Sequence, residues 1–142
     1  MALKAGRQRR FVPAWAELLD RLTVDLIKEI KLPRGRASYR LEIRALLHDI
    51  DLVIGRKKLK LSAKLLHRAI LLGQLNLHVW HLKDRMKREP RNYQALLKLA
   101  HQLNGARNQI KNDLLGYARE RTRSKERSNR ETDGLRAWKS PA

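Results

Sequence analysis

Residues 61–86 read LSAKLLHRAILLGQLNLHVWHLKDRM, and within them Leu61, Leu65, Leu72, Leu75, Val79, Leu82 and Met86 return at near-heptad spacing. Such a stripe defines an amphipathic helix that packs lengthwise against other helices. Ser62 or a neighbour stands where an N-cap belongs, and Pro90 closes the segment. Ile70, Leu71, Leu77 and Trp80 add apolar residues on further faces, which places this helix at the centre of a bundle or in an interface between subunits.

Three more helices lie around it. Upstream, Trp15, Leu18, Leu19, Leu22, Leu26 and Ile30 recur at helical spacing after Pro13, with charged residues between them, until Leu32-Pro33-Arg34-Gly35 ends the run. A second helix is predicted from about Ser38, with Tyr39, Ile43, Leu46, Leu47, Ile50 and Ile54 on one face and Gly55 as its C-cap glycine. Downstream, a fourth begins near Arg91 or Asn92 and carries Tyr93, Leu96, Ala100, Leu103, Arg107, Ile110, Leu114 and Tyr117. Arg107 alone breaks that stripe. It is either an edge residue extending its head to solvent or a buried partner for Asp49 or Glu42, and the edge reading is favoured because unpaired buried charge is costly. Short turns between the segments force antiparallel neighbours. The expected fold is therefore all-α, an antiparallel up-down-up-down four-helix bundle over residues 13–120. A basic arm (1–12) precedes it and a basic flexible tail (121–142) follows, both available to order on a polyanion, with Trp138 as the tail's stacking candidate.

Charge supplies the functional lead. Thirty-three Lys and Arg against 14 Asp and Glu leave the 142-residue chain at +19, far above the roughly 2 to 8 that solubility asks of a small domain. An excess of this size points to a polyanionic partner, RNA or DNA. The absence of cysteine removes disulfides, thiolate metal sites and cysteine nucleophiles. No apolar run of secretory or membrane-spanning length is present, so a cytoplasmic protein without membrane association is expected.

Catalytic signatures are missing: no glycine-rich phosphate loop, no Gly-x-Ser-x-Gly, no His-Glu-x-x-His. His78 and His81, at i,i+3, could meet His101 across the bundle, but no carboxylate motif accompanies them, so neither a metal nor another cofactor is expected. The small helical HEPN ribonucleases need an Arg followed by four to six residues and then a His, near the start of a late helix. Arg107 to Asp113 lacks the histidine, and Arg44 to His48 is too closely spaced and in the wrong helix. A divergent ribonuclease and a ribosome-associated interaction bundle remain the alternative readings to a non-enzymatic binder. Basic residues, by contrast, gather in two groups: Lys57, Lys58, Lys60, Lys64 and Arg68, then Lys83, Arg85, Lys87, Arg88 and Arg91. These ten are the candidate nucleic-acid contacts, and phosphate contacts of this kind fix position without reading sequence.

The succession Leu32-Pro33-Arg34, Tyr39-Arg40-Leu41 with Ile43, the Lys58-to-Leu61 connector and Tyr93-Gln94-Ala95-Leu96-Leu97 resembles the accessory variability determinant (Avd) proteins of diversity-generating retroelements. That family belongs to a wider four-helix group that includes proteins encoded in intervening sequences of ribosomal RNA genes. The resemblance covers about Trp15 to Tyr117, and it departs at Leu115-Gly116-Tyr117, where the family often carries Gly-x-Trp. It implies a non-catalytic subunit that forms a barrel-like homopentamer, binds a reverse transcriptase and holds template RNA or complementary DNA, with Lys57, Lys58 and Lys60 as contacts.

Overall fold

A computed structural model describes residues 14–118; the arm 1–12, the tail 121–142 and Trp138 lie outside the described residues. Four α-helices account for nearly all of that span: α1 (Trp15–Lys31), α2 (Arg36–Lys57), α3 (Ala63–Arg88) and α4 (Tyr93–Tyr117). No strand occurs among the described residues.

Each boundary has a local cause. Helix α1 ends at Leu32 because Pro33 cannot continue the ladder, and a single 3-10 turn, Pro33–Gly35, leads directly into α2. Gly35 is needed there for space, since its backbone angles are ordinary but an added Cβ would stand 2.7 Å from the Tyr39 ring. Gly55 is not the C-cap of α2. The helix runs through it to Lys57, and Lys58 takes the left-handed conformation (φ 50°), with the Lys58 and Leu59 amides both donating to the Ile54 carbonyl. A left-handed residue other than glycine costs about 1 kcal/mol. Ser62 caps α3 as its position suggests, its hydroxyl accepting from the Leu65 amide at 3.1 Å. A second 3-10 turn, Pro90–Asn92, joins α3 to α4.

The core is built from Leu18 of α1, Leu72 and Leu75 of α3 and Leu114 of α4, all but sealed from solvent, with Leu65, Val79, Leu82, Leu96, Leu103 and Ile110 around them. Trp15 closes one end: its indole Nε1 donates to the Leu114 carbonyl at 2.6 Å, which satisfies one of α4's terminal acceptors. Helices α3 and α4 pack together, α1 packs on α2, and α1 also meets both α3 and α4. Helix α2 approaches only α1 and the first 3-10 turn; its Cα atoms stay more than 8 Å from those of α3 and α4.

This arrangement corrects part of the expected stripes. Leu46, Ile50 and Val53 are buried, but Leu47 and Ile54 are exposed because no third helix closes over that side of α2. Leu26 and Ile30 are exposed at the far end of α1, and Leu61 stands 75% exposed ahead of the α3 cap.

Candidate nucleic-acid interface

The first basic group sits where α2 gives way to α3. Lys57 is the last residue of α2, Lys58 its left-handed cap, Lys60 lies in the connector and Lys64 in the first turn of α3, and all four are exposed. A lysine in a first turn opposes the helix dipole. No acidic residue occupies that first turn to balance it, so the positive end of α3 and the lysines act together. The arrangement suits phosphate, which accepts from free helix amides and from ammonium groups alike.

Arg68 does not belong to this surface. It is 4% exposed, with Nε 3.7 Å from Asp113 Oδ2 on α4. The reason is periodic: position 68 falls between Leu65 and Leu72 on the core-facing stripe, so the guanidinium is drawn inward and met by a carboxylate.

The second group occupies the other end of α3. Lys83, Arg85, Lys87 and Arg88 are exposed on its last turns, where cations favour the helix dipole, and Arg91 is exposed in the following 3-10 turn. Arg85 makes two hydrogen bonds to the Glu89 carboxylate, at 2.7 and 3.4 Å, and these hold that carboxyl below its ordinary range. Arg85 thus faces an internal competitor for any incoming phosphate.

Several charged groups that the stripe reading passes over lie inside the molecule. Asp20 of α1 is buried between α3 and α4, where it accepts from Asn76 Nδ2 at 2.8 Å and faces Lys111 Nζ at 3.5 Å and Arg107 Nη2 at 3.6 Å. Asn76 Nδ2 also donates to Thr23 Oγ1 at 2.6 Å, Arg107 donates to Asn76 Oδ1 at 3.3 Å, and Lys111 pairs with Glu17 at 2.5 Å. Arg107 is therefore a partly buried partner, not an edge residue, and its acid is Asp20 instead of Asp49 or Glu42. The one signal in the sequence is that two of these polar residues directly follow a core position, Asn76 after Leu75 and Lys111 after Ile110.

A second acidic group lines a cleft of about 450 Å³ between α1 and α2, formed by Asp25, Glu42 and Asp49 together with Lys28 and Leu46. Burial raises the Asp25 carboxyl above its usual 3.8, and the hydrogen bond to Glu42 and that group's charge raise it further, against Lys28 and Arg21, which lower it. A carboxyl raised on folding favours the folded state while it is protonated, and that contribution fades as pH climbs through the raised value. Asp25→Asn, which mimics the protonated form, is accordingly expected to stabilise the protein at neutral pH. The gain should shrink as pH falls toward 3.8, as read from urea unfolding of both chains across that window.

His78, His81 and His101 are exposed, and no three His, Asp or Glu side chains among the described residues are placed to hold a metal ion. His48 is exposed on α2, with Nδ1 3.6 Å from its neighbour Asp49. No described helix is long and apolar enough to cross a membrane. No family model matches the sequence, and neither a curated protein nor a solved structure shows significant similarity to it.

Proposed function

We propose that this chain is a non-catalytic nucleic-acid-binding accessory subunit, acting in the cytoplasm beside a reverse transcriptase of a diversity-generating retroelement and holding template RNA or its complementary DNA. The observation that carries the nucleic-acid part is the sorting of charge. Asp20 and Asp25 are buried and Glu17, Glu29, Glu89 and Asp113 are tied to basic side chains, while the lysines at one end of α3 and the arginines at the other face solvent. Such a surface grips phosphates without reading bases. The polymerase partner rests on the family resemblance alone.

The helices are taken to alternate as an antiparallel up-down-up-down bundle, with α2 joined to it through α1. Reversed pairing supports this: Trp15 and Asp20 of α1 meet Leu114 and Arg107 of α4, Arg68 and Asn76 of α3 meet Asp113 and Arg107, and Glu29 and Asp25 of α1 meet Arg40 and Glu42 of α2. Self-assembly is part of the same reading. Leu41 and Leu52 of α2 are large apolar residues left at the surface, and copies of the chain would cover them. A pentamer is the count the resemblance implies.

The test is direct. The full chain, titrated into labelled RNA and DNA at a series of salt concentrations, should bind both with an affinity that falls steeply and linearly on a log–log plot. Co-expression with a reverse transcriptase of a diversity-generating retroelement should yield a complex. Indifference to nucleic acid at low ionic strength overturns the reading, and salt-independent binding contradicts its electrostatic basis.

A further inference from the structure

The solvent side of α3 between the two basic ends carries a pattern of its own. Lys64, His67, Gln74, His78, His81 and Arg85 follow one another at steps of three, four or seven, and Arg88 continues the series, so all lie along one stripe of the helix. Every one of them is exposed. Three of the chain's five histidines stand on it between the lysine end and the arginine end, with the exposed Ile70 between His67 and Gln74 and the acid Asp84 at its edge between His81 and Arg88. At ~1.5 Å per residue, Lys64 and Arg88 are about 36 Å apart, close to the ~34 Å of one duplex turn.

We propose that this stripe is a continuous phosphate track for a duplex laid along α3, in which His67, His78 and His81 donate to phosphate oxygens between the basic ends and add positive charge as the medium is acidified. The proposal rests on the nucleic-acid reading above and names the surface and the regulation of that binding. Imidazole as a class changes charge between pH 5 and 8, going from one N–H donor to two with a full positive charge. Protonation therefore extends the two cationic patches toward one another, with Gln74 as a neutral amide donor between His67 and His78.

The flanking cations oppose added positive charge in the free protein, and the phosphates of a bound duplex offset them. On α3 itself Lys64, Arg68, Arg85 and Arg88 flank the histidines, Asp84 lies on the adjoining flank, and Arg68 Nη1 comes within 3.4 Å of His67 Nδ1. From α4, Asp113 meets Arg68 and offsets its charge near His67. The pairing of Arg68 with Asp113 and of Asn76 with Arg107 brings His101 and Lys98 of α4 to the level of His81 and Asp84. Helix α1 meets α3 through Asp20 and Thr23 at Asn76, on the side that faces the core.

The experiment uses the full chain and a labelled duplex DNA of about 20 base pairs, with salt titrations near pH 8 and near pH 5.5. The wild-type salt slope should steepen at acid pH by up to about 2.7, from about 0.9 per additional neutralised phosphate, with affinity at fixed low salt rising ~10-fold or more. The H67Q/H78Q/H81Q variant should bind like wild type at the higher pH and lose the acid response, while an H48Q/H101Q control keeps it. Circular dichroism establishes that both variants retain their helices. If the triple variant keeps the full acid response, or the control pair loses it, the histidine track is wrong even though the nucleic-acid reading stands. Absence of binding at both pH values removes the two together.

Discussion

Reversing Lys57, Lys58, Lys60 and Lys64 to glutamate should all but abolish nucleic-acid binding, flattening the salt slope by about four, one for each phosphate left without its ammonium partner. The effect should be uniform across RNA and DNA sequences, because ammonium groups at phosphates carry no base information. The fold is expected to survive. All four side chains are exposed, and Lys64→Glu puts an acid in the first turn of α3, where the helix dipole welcomes it. Retained helicity with abolished binding is thus the predicted pair of readings, from circular dichroism and fluorescence anisotropy. Wild-type affinity in the quadruple variant would show that the connector is a solvated loop and that phosphate is held elsewhere.

Asp20→Ala should be the most damaging small change to stability, costing about 3 to 5 kcal/mol, because it strips the carboxylate shared by Asn76, Arg107 and Lys111 and leaves Lys111 to Glu17 alone. Lys111 is 7% exposed at the side chain and Arg107 26%, so water replaces the missing carboxylate only in part. Against a typical total of ~5–15 kcal/mol the variant is close to unfolding. Glu17→Ala should cost under about 1 kcal/mol, since Glu17 is 41% exposed and its partner still has Asp20. A more informative variant replaces the charges by hydrocarbon. Asp20→Leu combined with Arg107→Leu and Lys111→Met should recover much of the stability, because well-packed apolar groups often equal or exceed a buried ion cluster. Urea unfolding of the three chains decides the matter. An Asp20→Ala midpoint indistinguishable from wild type would mean that α1 is not held by its carboxylate.

What can be read from residue order alone is whatever repeats. The α3 stripe from Leu65 to Leu82, the Ser62 cap and the stops at Pro33 and Pro90 each follow from spacing or from a single residue's geometry, and each stands in the structure where it is expected, while Leu61 falls ahead of the helix. Partner choice is not periodic. Ile43, Leu47, Ile50 and Ile54 form as good a stripe as any on α3, yet how much of it is covered depends on which helix lies opposite, and α2 has only α1 beside it. Arg68 shows the same limit in the candidate interface, since grouping by neighbourhood in the chain puts it with the surface lysines although its helical phase points to the core. The acid that meets Arg107 departs from expectation for a related reason: Asp20 comes from a helix 87 positions away, and nothing in a linear reading ranks it above Asp49 or Glu42. Gly55 yields its capping role to Lys58 three residues later, a displacement that a preference for glycine cannot foresee.

The indole of Trp15, bonded to the last turn of α4, has an electrical consequence. It brings Ala14 and Ala118, the two points from which the flanking sequence departs, to one pole of the body, the pole where Lys64 and the chain just before it also stand. That pole therefore presents the lysines of the connector between α2 and α3 beside the joined ends of α1 and α4, so an anion nearing it meets a cluster of ammonium groups together.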